Sequence, residues 1–200
     1  ASEIKSTNKI MKSYKEIGAW LLFEPFYDHV IETFIKDGMK LIEIGNWQGG
    51  SVIYLAQKIK ERGFKNVEIQ AVDITDAGQL KNVEDCGVSD MVKVHIMPSC
   101  DLAARFDNDY FDFVFIDGDH SYEGVKKDIV SYWPKLKVGG IMGGDDYNNP
   151  LPGIVGITKS VHDIFGQSIL TWPWKPCNFQ GCAWYLNKTK DQTLILTNTE

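Results

Sequence analysis

From Met39 onward the chain alternates short apolar runs rich in β-branched residues with longer segments of helical period, and no other feature restricts its fold as much. Such an alternation builds βαβ units, whose strands lie parallel and whose crossover helices cover both faces of the sheet. Strands are predicted at Lys40–Ile44, Glu68–Asp73, Val92–Met97, Phe111–Asp117 and Gly140–Gly144, each short and apolar enough to be buried on both sides. Helices are predicted at Ser51–Arg62, Gly78–Cys86, Cys100–Phe106 and Tyr122–Leu136. Gly63, Gly87 and the Gly139–Gly140 pair fall at or just past helix ends, where left-handed caps belong.

Beyond Pro150 the texture changes. Ile154–Phe165 has helical period, and Ser168–Trp172 and Gly181–Asn187 read as two late strands around a Trp- and Pro-rich loop, an antiparallel edge pair on a mostly parallel sheet. The expected fold is therefore α/β: one doubly wound, Rossmann-like domain with a mostly parallel seven-stranded sheet and an antiparallel edge. A chain of 200 residues suffices for one sizeable core and is short for two. Within one domain, 1–38 form a helical cap, 39–147 the cofactor- and metal-binding core, and 148–200 a substrate-side loop with edge strands. The cap carries the apolar cluster Trp20, Leu21, Leu22, Phe23, Phe26 and Tyr27, expected to pack over a sheet edge or the mouth of a site. The aromatic segment Thr171–Phe179 is a candidate roof for a substrate pocket, with the loop Tyr147–Gly153 as its gate.

Charge and cysteine content narrow the function classes. The net charge is -6 and the Lys and Arg residues are scattered, so no basic stripe for a phosphate backbone is present and nucleic acid is not an expected partner. Cys86, Cys100, Cys177 and Cys182 show neither CxxC spacing nor a paired His cluster, which points to free thiols in a reducing, cytoplasmic setting. The apolar run Ile17–Phe23 is closed by Glu24 and Pro25, well under the roughly 18 residues of a membrane span. No membrane partner is expected, and a homo-oligomer is left open.

The segment Leu41 to Ser51 is a strand, a glycine-bearing turn and a helix start, and ligands of open parallel sheets bind beyond such strand ends. A dinucleotide fold places a second glycine two positions after the first, but that position is Trp47. A phosphate-cradling loop needs Lys after the glycine that closes its frame, and here Ser51 follows Gly50. What remains is Glu-x-Gly-x-x-x-Gly, Glu43 to Gly49, which resembles the first motif of class I methyltransferases, whose cofactor S-adenosylmethionine carries no phosphate. By that resemblance Gly45 and Gly49 let the backbone approach the methionyl-ribose part, Glu43 orients it, and Ser51 stands among the cofactor contacts. Asp73 ends the second strand about 20 residues beyond the turn, where an acid can hydrogen-bond two ribose hydroxyls. Ser99, after the third strand, is a candidate neighbour of the adenine.

The fourth and fifth strands end side by side in acids: Phe115-Ile116-Asp117-Gly118-Asp119-His120-Ser121-Tyr122-Glu123-Gly124-Val125, then Trp133-Pro134, then Gly143-Gly144-Asp145-Asp146-Tyr147. Carboxylates crowded at one sheet edge repel unless a cation or proton sits among them, and several oxygen ligands suit Mg²⁺ or Mn²⁺. Over Met39–Tyr147 this pattern resembles the family that includes macrocin O-methyltransferase, antibiotic-sugar O-methyltransferases and proteins labelled cephalosporin hydroxylase, akin to catechol O-methyltransferase. The resemblance implies metal ligands at Asp117, Asp145 and Asp146, with Asp117 also at the cofactor, and a general base at His120 or Asp119. It implies methyl transfer to a hydroxyl of a small molecule, of sugar or phenol type. Asp119, Ser121 and Glu123 also fit a capped helix start. Two other readings stand beside this one: a degenerate methyltransferase fold acting as a binding scaffold, and an oxidoreductase, for which His29, His95, His120 and His162 give no 2-His-1-carboxylate spacing.

Overall fold

In the computed structural model, which describes residues 12–18, 21–173 and 181–195, seven strands form one sheet in the order β3-β2-β1-β4-β5-β7-β6. The strands are β1 (Lys40–Ile44), β2 (Glu68–Asp73), β3 (Val92–Ile96), β4 (Phe111–Ile116), β5 (Leu136–Tyr147), β6 (Leu170–Pro173) and β7 (Cys182–Asn187). The first five run parallel, and β7 pairs antiparallel with both β5 and β6, so the mixed sheet matches the sequence expectation.

The described residues also form six α-helices: α1 (Glu24–Thr33), α2 (Gly50–Glu61), α3 (Gln79–Asp85), α4 (Ser99–Ala103), α5 (Tyr122–Tyr132) and α6 (Gly156–Phe165). Strand alternation sorts side chains to two cores, as a period of two requires. Leu41, Ile69, Phe113 and Phe115 face α1, α2 and α3, whereas Ile42, Ile44, Val114 and Ile116 face α4, α5 and α6. Helix α1 packs on a sheet face rather than at an edge: the Phe26 and Tyr27 rings lie 5.8 and 5.0 Å from that of Phe115. Trp20, of the same predicted cluster, lies outside the described residues. No helix among the described residues is long and apolar enough to cross a membrane.

One expectation is corrected. Helix α5 stops at Tyr132, and β5 starts at Leu136 instead of Gly140. Pro134 cannot donate to a continuing helix, and Tyr110 and Phe111 take up Lys135 O at 2.8 Å. Between Phe111 and Phe113 the pairing jumps from Leu136 to Ile141, so Lys137–Gly140 bulge out of the strand. Gly139, at φ +86°, serves that bulge and not a helix cap. Gly63 and Gly87 do lie just past α2 and α3 with positive φ, as capping glycines.

Candidate active site

Strand order reverses direction between β1 and β4, and beyond the carboxyl ends of β1, β2, β3 and β4 opens a cleft of about 600 Å³. Its wall includes Gly45, Asn46, Ser51, Asp73, Ser99 and Asp117, and also Asp119 and His120. Glu43 and Gly49, the other two residues carried over for the cofactor, do not line it.

The turn after β1 is shaped by neighbouring backbone. A Cβ on Gly45 (φ +81°) would stand 2.1 Å from Asp117 O and 2.4 Å from Gly118 Cα, so only glycine lets β1 run this close to the end of β4. Gly49 (φ +84°) is the left-handed N-cap of α2, with the Gln79 side chain 3.2 Å from where its Cβ would be. Chain geometry thus demands both glycines before any ligand is considered.

Glu43 lies beneath the cleft. It is 1% exposed, and its carboxyl accepts hydrogen bonds from Tyr27 Oη at 2.7 Å and from Ser51 Oγ. Burial raises its pKa to about 8, against the opposing pull of those two bonds. The same burial, with Glu43 beside it, raises the Tyr27 hydroxyl well above its usual value. Glu43 therefore props the start of α2, through Ser51, from below the cleft floor.

Asp73 ends β2 with Oδ2 accepting the backbone N–H groups of Asn46 (3.2 Å) and Trp47 (2.9 Å), while Oδ1 accepts that of Thr75 at 3.2 Å. This carboxylate ties the turns after β1 and β2 together while lining the cleft. Asn46 beside it is 4% exposed, yet neither its Oδ1 nor its Nδ2 has a hydrogen-bond partner among the described residues. A buried amide left without partners costs about 1–3 kcal/mol, so this polar pair awaits a polar ligand group.

At the other end of the cleft, ligand atoms of Asp117, His120 and Asp146 lie within 4.8 Å of one another. His120 Nε2 is 3.5 Å from Asp117 Oδ1 and 3.6 Å from Asp146 Oδ2. Asp145 does not join this group. In a regular strand consecutive residues point to opposite faces, but Asp146 has φ +59° and the β5–β7 register breaks between Gly144 and Tyr147. The glycines before it have their own reason: a Cβ on Gly144 would meet Ile116 O at 2.5 Å and the Trp184 indole at 2.6 Å. Burial pushes the Asp117 carboxyl up to about 6; His120 pulls it down, and Asp146 pushes it further up. The His120 imidazole is raised above its usual value, foremost by its hydrogen bond with Asp117. Two carboxylates that meet beside an imidazole are a donor set for a hard divalent cation such as Mg²⁺ or Mn²⁺.

Asp119 is exposed and its Oδ1 accepts Ser121 N–H at 2.9 Å, while Ser121 Oγ caps α5 by accepting Gly124 N–H at 3.0 Å. The capping turn is thus real, and it holds His120 between two fixed neighbours. Ser99, at the start of α4, lines the cleft and donates its hydroxyl to Asp128. Asp128 is a cleft residue that the sequence reading passed over. Its signal was present: α5 buries Val125, Ile129 and Tyr132 at helical spacing, and Asp128 is a carboxylate inside that apolar stripe. Of the predicted aromatic roof, Trp172 stacks on His29 with centroids 4.1 Å apart, whereas 174–180 lie outside the described residues.

Comparison with known proteins agrees with this geometry. A sequence family described as a methyltransferase domain matches residues 42–147. An uncharacterised protein of Acanthamoeba polyphaga mimivirus is 29% identical over 181 residues, covering 80% of this chain and 76% of its own. An O-methyltransferase from Bacillus cereus, solved in complex with SAH, superposes with a TM-score of 0.64 at 17% identity, over 87% of this chain and 86% of its own. A structure described as a putative O-methyltransferase from Klebsiella pneumoniae gives 0.65 at 15% identity, over 88% and 86%.

Proposed function

The chain belongs to the methyltransferase-domain family, and from that premise we propose that it is an S-adenosylmethionine-dependent O-methyltransferase, aided by Mg²⁺ or Mn²⁺, acting on a hydroxyl of a small molecule. The observation that carries this reading is the meeting of Asp117, His120 and Asp146 at one end of a cleft whose other end holds Asp73 and the unsatisfied Asn46 amide. The finer assignment, to the group that includes macrocin O-methyltransferase, is supported by the run Asp117 to Val125 and by the paired acids after β5. A sugar or phenol hydroxyl as acceptor, a cytoplasmic location and a single domain belong to the same proposal.

S-adenosylmethionine, when bound, supplies a methyl group on a positive sulfonium, and a divalent cation supplies the charge that makes a hydroxyl more acidic. In this chain Asp117 and Asp146 would hold the cation, and His120 would take the hydroxyl proton at Nε2. Asp119 is already engaged with the Ser121 amide, which favours His120 as the base. His120 would hold that proton between the Asp117 and Asp146 carboxylates, with Nε2 3.5 and 3.6 Å from them. Holding two reacting groups in one orientation is worth roughly 7–11 kcal/mol. The walls of β1, β2 and β4 that fix the cleft therefore matter as much as the base.

The deciding experiment is isothermal titration with S-adenosylhomocysteine, with and without Mg²⁺, followed by an acceptor screen on the wild type and on Asp146→Ala. Micromolar binding, with Mg²⁺-dependent turnover that Asp146→Ala removes, is the expected result. Absence of binding in both conditions overturns the cofactor, and unchanged turnover in the variant overturns the metal.

A further inference from the structure

Helix α4 has only five residues, a length of about 7.5 Å, and leaves the outer part of the sheet face beside it uncovered. On that face the apolar pattern of the sheet breaks. Gln70 of β2 pairs with Lys93 of β3, and His95 follows Lys93 at the spacing that keeps two strand residues on one face. Val92 and Val94, between them, pack into the other core, under α2 and α3. With Arg105, just past α4, these polar residues line a hollow of about 580 Å³ that shares no wall residue with the cleft.

The charges in this hollow do not balance one another. Its two acids have cations of their own: Asp90 lies 2.5 Å from Lys60 Nζ, and Glu68 lies in the field of Lys40. The side chains of Lys93 and Arg105 make no ion pair or hydrogen bond among the described residues. The chain's other arginine, Arg62, is paired with Glu32 at 2.6 Å, so Arg105 stands apart. Gln70 is 9% exposed; its Oε1 accepts His95 Nε2–H at 2.7 Å, and its Nε2 has no partner among the described residues. Burial, with Lys93 and Arg105 nearby, lowers the His95 pKa, as expected where no anion answers the two cations.

Two unpaired cations and a buried amide donor call for an anion from solution, and two positive charges suit a dianion better than a single carboxylate. A polyanion fits poorly, since the chain carries a net charge of -6 and Asp101, Asp107 and Asp109 flank Arg105. Part of the wall is apolar: the Phe106 and Tyr110 rings, 4.8 Å apart, stand beside buried Leu102. That surface suits the organic body of a small ligand.

We propose that the hollow between β3 and α4 binds the phosphate monoester of a small molecule, with Lys93, Arg105 and Gln70 Nε2 taking the phosphate and Phe106 and Tyr110 the organic body. The site lies apart from the cleft, and it does not depend on the methyl-transfer reading.

The test is titration of the protein with phenyl phosphate, inorganic phosphate and benzoate at pH 7.5, without divalent cations, followed by amide and imidazole NMR. Phenyl phosphate is expected to shift the amides of β3 and the α4 end saturably, with a Kd below about 1 mM, and to raise the His95 pKa. Inorganic phosphate and benzoate are each expected to bind at least about fivefold more weakly, one lacking the ring and the other the second charge. Arg105→Gln and Lys93→Gln, both at exposed positions, are each expected to weaken phenyl phosphate about 10- to 100-fold while leaving the urea-unfolding midpoint and the remaining amide spectrum in place. Shifts confined to the cleft, no saturation up to 10 times the expected Kd of about 1 mM, or unchanged affinity in both variants would each overturn the site. Benzoate binding as tightly as phenyl phosphate would overturn the phosphate, and inorganic phosphate doing so would overturn the organic body.

Discussion

Asn149 Nδ2 donates to Asp146 Oδ1 at 2.6 Å, while the other oxygen of that carboxylate, Oδ2, lies 3.6 Å from His120 Nε2. The Asn149 backbone N–H also reaches Asp146 O at 3.2 Å, and Asn149 Oδ1 accepts Leu151 N–H at 3.1 Å. The amide thus anchors an aspartate that sits at φ +59°, a conformation few residues other than glycine adopt without outside support.

Asn149 is therefore a positioning residue for the proposed metal ligand. Asn149→Ala is expected to weaken Mg²⁺ activation about 10- to 100-fold, read as the Mg²⁺ concentration at half-maximal turnover. Affinity for S-adenosylhomocysteine should stay within about threefold, since Asn149 does not line the cleft. Equal loss of both would mark a general structural failure in place of ligand positioning.

Gly45→Ala tests whether the turn after β1 is fixed by backbone contact. The new methyl would collide with Asp117 O and Gly118 Cα, neither of which can swing aside as a side chain can, and φ +81° adds its own strain. A loss of about 2–5 kcal/mol in urea-unfolding stability is expected. A loss below 1 kcal/mol would mean that the ends of β1 and β4 yield, and that the glycine is there for the ligand.

How much of this was legible in the sequence follows from which forces set each feature. The parallel core was readable because β1, β2 and β4 are buried at nearly every residue and so appear as short, mainly apolar runs, while β3, at the sheet edge, exposes Lys93 and Ile96. The start of β5 was not, because Lys137–Gly140 look like a helix cap, and only pairing with Phe111 and Phe113 makes them a bulge. Crowding of acids at the ends of β4 and β5 was legible from strand adjacency. Which of Asp145 and Asp146 joins Asp117 was not, since Asp146 is left-handed and the β5–β7 register breaks between Gly144 and Tyr147, so strand alternation alone does not decide it. Asp128 was readable in principle, as an acid on an apolar helical stripe, but its target, Ser99, is 29 residues away and is known only once α4 meets α5.

His120 Nε2 lies 3.5 Å from Asp117 Oδ1 and 3.6 Å from Asp146 Oδ2, and the proposed mechanism makes it the base. His120→Gln keeps a polar side chain of similar reach but removes the base. Once an acceptor is known, kcat is expected to fall about 10²- to 10⁴-fold with KM for the cofactor nearly unchanged. A variant that keeps kcat within threefold would transfer the role of base to another group.

Glu43 makes a prediction about stability and pH that is independent of any ligand. Its folded-state pKa of about 8 lies above the ordinary glutamate value near 4.3, so between these values the native state binds the proton that the unfolded chain has lost. A proton held by the folded form stabilises it; that stability is present in full below about pH 4.3 and is lost as pH rises through 8. Within the window the slope from this group is about 1.4 kcal/mol per pH unit. Other groups, Asp117 and Asp128 among them, titrate in the same range, so the wild type alone cannot isolate it. Glu43→Gln does isolate it, because the amide cannot titrate, and its Oε1 can accept from one of the Tyr27 and Ser51 hydroxyls while its Nε2 donates to the other. The urea-unfolding stability of the wild type minus that of the variant is expected to fall steadily from pH 5 to pH 8 and then level off. A difference that is constant with pH would show that Glu43 is ionised throughout, its charge held by Tyr27 and Ser51 despite burial.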